Sequence, residues 1–155
     1  MIQRIQSVYL TVVLLLSILL FSGSLLNFTD ESGKALKLMI SGSLNDPVGQ
    51  TATQALNLWP LMVVLVLIAL LSVTTVFLFK IRSIQLFLSI TLIALAAVLI
   101  LGLSWYGYKI TNSLRMTIVP GFNLAIPPLI LIFSVLARRG ILKDERLVKS
   151  YDRLR

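Results

Sequence analysis

The sequence predicts an all-α membrane protein. It has four transmembrane helices with both termini cytoplasmic, a small extracytoplasmic β-hairpin cap and an amphipathic basic C-terminal helix. Three observations carry this prediction. The 155-residue chain is 57% hydrophobic and 13% charged, against roughly a quarter charged in soluble domains. Four long stretches hold no charged residue at all. The 14 Lys and Arg residues are divided unevenly among the segments that join those stretches.

The charge-free stretches are residues 5–29, 47–79, 83–108 and 116–137. Within them helices are expected at about 8–26, 58–79, 84–106 and 120–137, forming a transmembrane domain over residues 1–137. Outer loops are expected at 27–57 and 107–119. Each core approaches the ~20 apolar residues that cross ~30 Å of hydrocarbon. Backbone groups in lipid must pair within their own segment, which favours helices over strands. The first stretch, "MIQRIQSVYLTVVLLLSILLFSGS", also fits the basic start, apolar core and small residues of a signal peptide. An uncleaved first helix is the reading retained.

Charge placement sets the direction. With a cytoplasmic N-terminus, Arg4, Lys80, Arg82, Arg138, Arg139, Lys143, Arg146, Lys149, Arg153 and Arg155 lie inside, and only Lys34, Lys37, Lys109 and Arg115 lie outside. Trp59, Trp105, Tyr106 and Tyr108 then fall near the outer headgroups, where aromatic belts form.

Between the first two spans, Asp30–Lys34 reads as a polar turn, and Leu36, Leu38 and Ile40 alternate with Lys37, Met39 and Ser41. A hairpin of about residues 26–29 with 35–40 is expected, with a short added strand near 115–119; irregular loops are the competing reading. Asn27-Phe28-Thr29 matches a glycosylation sequon, a common chance match to which no role is assigned. The short "KIRSIQ" turn makes the second and third helices an antiparallel hairpin. In the fourth span, Pro127 and Pro128 are the candidate helix break. A helix running only from Pro127 to Ala137 would cover about 16 Å, too little to cross a bilayer. Either it starts near Asn123 and bends at the prolines, or its outer part is non-helical and shielded by protein.

Little in the sequence carries chemistry. There is no Cys and no His, which removes disulfides, thiolate nucleophiles, imidazole bases and nearly all zinc, haem and iron–sulfur sites. No catalytic, cofactor-binding or metal-ligating residue is assigned, and no cofactor is expected. Asp30-Glu31 reads as a solvated turn and Asp144-Glu145 as a solvated helix face. Ser17, Ser72, Thr74, Thr75, Ser89, Thr91, Asn123 and Ser134 are expected to bond to backbone or between helices, at ~0.6 kcal/mol each. Ala94, Ala96, Ala97 and Gly102 suggest a small-residue face on the third helix.

The ending, "RRGILKDERLVKSYDRLR" (residues 138–155), reads as a cytoplasmic tail helix. At 100° per residue Ile141, Leu147, Val148, Tyr151 and Leu154 share one side, and Arg139, Lys143, Arg146, Lys149 and Arg153 much of the other. Only Gly140 stands between it and the fourth span. Arg138, Arg139, Lys143, Arg146, Lys149, Tyr151, Arg153 and Arg155 are the candidate contacts to a partner or to lipid. The ribosome or other RNA is a weaker candidate partner, given one aromatic in the segment. No DNA is expected.

The opening "MIQRIQSVYL", the four-span layout and the ending "RRGILKDERLVKSYDRLR" resemble an uncharacterised family of small four-helix membrane proteins of Bacteroidota, Domain of Unknown Function 4293. The resemblance implies four transmembrane helices and residence in the bacterial inner (cytoplasmic) membrane. It brings no catalytic or ligand residues.

Together these readings lead to a non-enzymatic scaffold or accessory subunit of a larger membrane complex. Its expected partners are membrane lipids and other integral membrane proteins, with protein translocation or insertion machinery one candidate. The alternatives are a small transporter or channel using the proline-broken fourth helix, and a lipid-binding protein.

Overall fold

A computed structural model of the chain describes residues 3–29, 35–39, 44–45, 51–52, 57–78, 82–114, 117–119 and 121–152. Four helices are present, α1 (Gln3–Ser22), α2 (Trp59–Phe77), α3 (Arg82–Leu114) and α4 (Ile126–Asp152). Strands β1 (Ser24–Thr29), β2 (Ala35–Met39), β3 (Leu44–Asn45) and β4 (Thr51–Ala52) follow α1, and β5 (Thr117–Val119) follows α3. A 3-10 turn, Phe122–Ala125, leads into α4.

The helices form a bundle in which α1 packs on α2 and α4, and α3 packs on the same two. The segments Trp59–Phe77, Ile84–Ser113 and Phe122–Glu145 are long and apolar enough to cross a membrane, and Gln6–Ser22 is a shorter apolar helix. This is compatible with a multi-pass membrane protein.

The buried residues explain the bundle. On α2 they are Leu61, Leu65, Ile68, Ser72 and Thr75. On α3 they are Gln85, Ser89, Leu92, Ala96, Leu99, Leu103, Gly107 and Ile110. Steps of four and three place one stripe inward and match the knobs-into-holes seam of coiled helices. The outward positions are just as apolar: Leu101 is 69% and Phe77 74% exposed. Lipid, unlike water, does not penalise them.

The small polar residues serve their own helices. Ser17 donates to Val13 O, Thr75 to Leu71 O, Ser89 to Leu86 O and Ser134 to Ile130 O, all at 2.6–2.8 Å. Ser72, Thr74 and Thr91 likewise donate to carbonyls three residues back. The interhelical bond comes from Gln85, whose Nε2 donates to Thr75 O at 3.3 Å. The small-residue face expected on α3 is not one face. Ala96 is buried and Ala94 exposed, because they stand about 200° apart on the helix. Gly102 is the close contact, where an added Cβ would stand 2.5 Å from Leu61 Cδ2.

Helix limits in α1 and α3 differ from the sequence expectation. The apolar run 8–26 is not all helix. It ends at Ser22, with the Gly23 N–H donating to Leu19 O at 3.0 Å. Leu25 and Leu26 then enter β1, where both are buried. Conversely, α3 does not stop near 106 but runs to Leu114. The Leu103, Gly107, Ile110 stripe continues under the sheet and keeps the helix packed beyond its apolar core. At 33 residues it is about 50 Å long.

The strands form one antiparallel sheet in the order β4-β3-β2-β1-β5. The expected hairpin is present, with Leu26 opposite Leu38 and Phe28 opposite Leu36. It is extended by β3 and β4 on one side and by β5, with Phe28 opposite Ile118, on the other. Leu26, Phe28 and Leu38 alternate with more exposed neighbours, and Phe28 is fully buried. The Asp30–Lys34 turn, Lys80, Arg115 and Pro120 lie outside the described residues.

Candidate functional site

The sheet end of the bundle is held by polar contacts between segments far apart in sequence. Asn123, in the 3-10 turn, donates from Nδ2 to Ser24 Oγ at 2.9 Å, and Ser24 Oγ donates to Asn27 Oδ1 at 3.1 Å. The Asn27 amide lies so close to Gly121 that an added Cβ there would stand 2.5 Å from its Nδ2. Thr117 Oγ1 donates to Thr29 O at 3.2 Å and secures β5. Tyr106 Oη donates to Asn57 O at 2.9 Å, tying α3 to the start of α2. Asn27 of the sequon is therefore a half-buried member of this clip.

The clip fixes the start of α4. Of the two arrangements expected, a helix from near Asn123 that bends at the prolines is not found: Pro127 and Pro128 lie in the first turn of α4, after a 3-10 turn. There a missing N–H costs nothing, because the first N–H groups of a helix have no intrahelical acceptor. The Ile126 N–H is satisfied by Asn123 O of the 3-10 turn. The four residues before α4 instead form the 3-10 turn, which has no buried residue and leaves Phe122 75% exposed, and the fourth span gains length at its other end. α4 does not stop at Ala137 but continues through the basic segment to Asp152, 27 residues and about 40 Å.

Between α3, the sheet and the start of α4 lies a cleft of about 490 Å³, lined by Leu26, Ile100, Leu103, Ser104, Tyr108, Thr111, Ile118, Leu124, Pro127 and Pro128. Its size is within the ~300–1,000 Å³ of small-molecule sites. The lining is mostly hydrocarbon. Ser104 Oγ is already engaged with Ile100 O at 2.9 Å. The Thr111 hydroxyl is buried without a hydrogen-bond partner, which costs on the order of 1–3 kcal/mol unless a ligand supplies one. Gly107 makes room for the sheet; a Cβ there would meet Ile118 Cδ1 at 3.3 Å and Leu26 Cδ1 at 3.4 Å. Trp59, Trp105 and Tyr108 are exposed around this end of the bundle. Among the described residues no group of three or more His, Cys, Asp or Glu could hold a metal ion.

The basic segment continues directly from the fourth span as the last part of α4. Ile141 is buried, and Gly140 lies against α1, where an added Cβ would stand 3.3 Å from Gln6 Cβ. One turn further in, the rings of Tyr9 and Phe133 are 6.2 Å apart. Arg139 and Lys143 are exposed, and Arg138 is half-buried with no hydrogen-bond partner for its Nε. Arg146, Lys149 and Tyr151 fall on the last turns of the helix, while Arg153 and Arg155 lie outside the described residues. The expected solvated face at Asp144-Glu145 is half-buried instead, and both Asp144 carboxylate oxygens are buried without a hydrogen-bond partner. The helix is packed on α1 here, so its edge is not open to solvent.

Sequence reasoning missed the cleft, Gln6, Gln85 and Thr111. Gln6 and Gln85 were readable as polar residues within or beside apolar helices. Both are buried, and Gln6 Oε1 has no hydrogen-bond partner.

No curated protein matches the chain. The model of the family described as Domain of unknown function (DUF4293) matches residues 2–154, and the chain belongs to that family.

Proposed function

We propose that this protein is a multi-pass protein of the bacterial inner membrane, with both termini cytoplasmic, that works as a non-enzymatic scaffold or accessory subunit of a larger membrane complex. The observation that carries the reading is the unbroken α4. One rod joins the bundle to the basic segment, so Arg139 and Lys143 are held at a fixed height beside the membrane instead of swinging on a tether. The Gln6–Gly140 contact supports this rigidity. The excess of Lys and Arg at the end of the bundle carrying the N-terminus supports the direction. The outward apolar faces suit lipid and other integral membrane proteins. The exposed cations suit an anionic surface such as lipid headgroups, or ribosomal RNA beside an insertion machinery.

Crosslinking mass spectrometry on membranes extracted in mild detergent, with the linker reacting at Lys143, tests the proposal. Reproducible crosslinks to one set of membrane proteins are expected. Recovery only as a free monomer contradicts it.

The transporter reading was motivated by a proline break, and with both prolines in the first turn of α4 that motivation becomes a helix start. The lipid-binding reading is favoured by one specific observation, the apolar cleft with the unpartnered Thr111 hydroxyl.

A further inference from the structure

We infer that the cleft between α3 and the start of α4 is a binding site for one acyl chain of a membrane glycerolipid, with Thr111 donating a hydrogen bond to the ester carbonyl. The inference deepens the lipid-binding reading. It rests on the membrane placement of the bundle and not on the accessory role.

Placement identifies the occupant. Ile100, Leu103 and Ser104 belong to one segment able to cross a membrane, and Pro127 and Pro128 to another. A gap between two such segments meets the hydrocarbon of the bilayer rather than bulk water. The height matches as well. Trp105 and Tyr108 are exposed on α3, and Trp59 on α2, where aromatic side chains mark the boundary between hydrocarbon and headgroups. From Ile100 to Thr111 the cleft wall spans about 16 Å along α3. It therefore runs from hydrocarbon, through the aromatic level where the glycerol esters lie, into the headgroup region.

Chemistry identifies the polar contact. An empty apolar cleft stays dry or fills with lipid, since water requires polar partners. The Thr111 hydroxyl is buried in the cleft wall without a partner, so a turn about χ1 has to bring it into the cleft. It can donate one hydrogen bond, and an ester carbonyl oxygen accepts one. Ser104 is already satisfied by Ile100 O, and Ile118 and Leu124 close the cleft from the sheet and the 3-10 turn.

The test uses the full chain in nanodiscs containing a phosphatidylethanolamine with a diazirine on one acyl chain. After illumination, labelled peptides are located by mass spectrometry. Labelling is expected to concentrate on the cleft, at Leu103, Leu124 and Pro127, over the outward Leu101. Leu124→Trp, which fills the cleft from a partly exposed position, should reduce cleft labelling at least fivefold and leave Leu101 unchanged. Thr111→Val keeps the side-chain shape and removes the donor, and should weaken lipid retention by about threefold to tenfold. An ether-linked lipid lacking the ester carbonyl should lose as much against the native chain and nothing further against Thr111→Val. Circular dichroism confirms that each variant is folded. Even labelling along α3, unchanged by Leu124→Trp, overturns the site. Loss on Leu124→Trp with ester and ether lipids retained equally overturns the Thr111 contact. Neither result bears on the crosslinked partners that test the accessory role.

Discussion

Replacing Gly140 with leucine distinguishes a packed C-terminal helix from a hinged one. A Cβ at this position would stand 3.3 Å from Gln6 Cβ and 3.8 Å from Gln6 Cα, so any side chain grows toward α1. Alanine requires α1 to give by a few tenths of an ångström, while gaining about 1 kcal/mol of helix propensity over glycine. The two effects nearly cancel, and Gly140→Ala should lie within about 0.5 kcal/mol of the native chain. Leucine gains almost the same propensity but adds carbons that must displace Gln6, at an overpacking cost of about 1–3 kcal/mol. The net loss reaches up to about 2 kcal/mol, or up to roughly 8 °C in Tm for a chain of this length. Thermal unfolding in detergent, followed by circular dichroism and by the fluorescence of Trp59 and Trp105, measures it. If Gly140 were a hinge, both substitutions would stiffen the chain and raise Tm together. A Gly140→Leu variant as stable as Gly140→Ala would refute the α1–α4 contact.

Other perturbations address the cap and the bundle. Asn123→Ala removes the 2.9 Å bond to Ser24 Oγ, and should cost about 1 kcal/mol and speed hydrogen exchange in β1 and β5. Phe28→Ala empties a fully buried position. It should cost about 3–5 kcal/mol and expose the sheet to limited proteolysis while the helical circular dichroism is largely kept. Gln85→Leu removes the 3.3 Å bond to Thr75 O. Interhelical bonds in membranes average about 0.6 kcal/mol, so the loss in thermal unfolding should stay under about 1 kcal/mol, whereas Gln85→Ala, which also leaves a void, should cost more.

The sequence revealed the bundle because length and apolarity alone require membrane-length helices, as in Trp59–Phe77. It revealed the hairpin because Leu36, Leu38 and Ile40 alternate with Lys37, Met39 and Ser41 beside a polar turn. It hid which helix faces look inward. Leu99 is buried and Leu101 is 69% exposed, yet hydropathy does not separate them. The interior is better marked by Ser72, Ser89 and Ser134, which are buried and bond to their own helices. Helix limits were hidden for a related reason. Leu25 and Leu26 continue an apolar run but leave the helix, because Gly23 and the pairing with β2 lie outside a periodicity count. The role of Pro127 and Pro128 depended on where α4 ends. Once α4 includes the basic segment, no helix needs to extend on the outer side of the prolines. The cleft was not legible at all, since Thr111, Ile118 and Leu124 come together only through the sheet.

The most direct measurement is the sidedness of single cysteines, which the chain permits because it has no Cys of its own. Lys37→Cys, on β2, and Lys143→Cys, on α4, alter exposed positions at opposite ends of the bundle. Each variant is treated in intact spheroplasts with a membrane-impermeant maleimide, before and after permeabilisation. The account predicts that Lys37→Cys reacts from outside at once and that Lys143→Cys reacts only after permeabilisation. Labelling of both from the same side, or the reverse order, contradicts it.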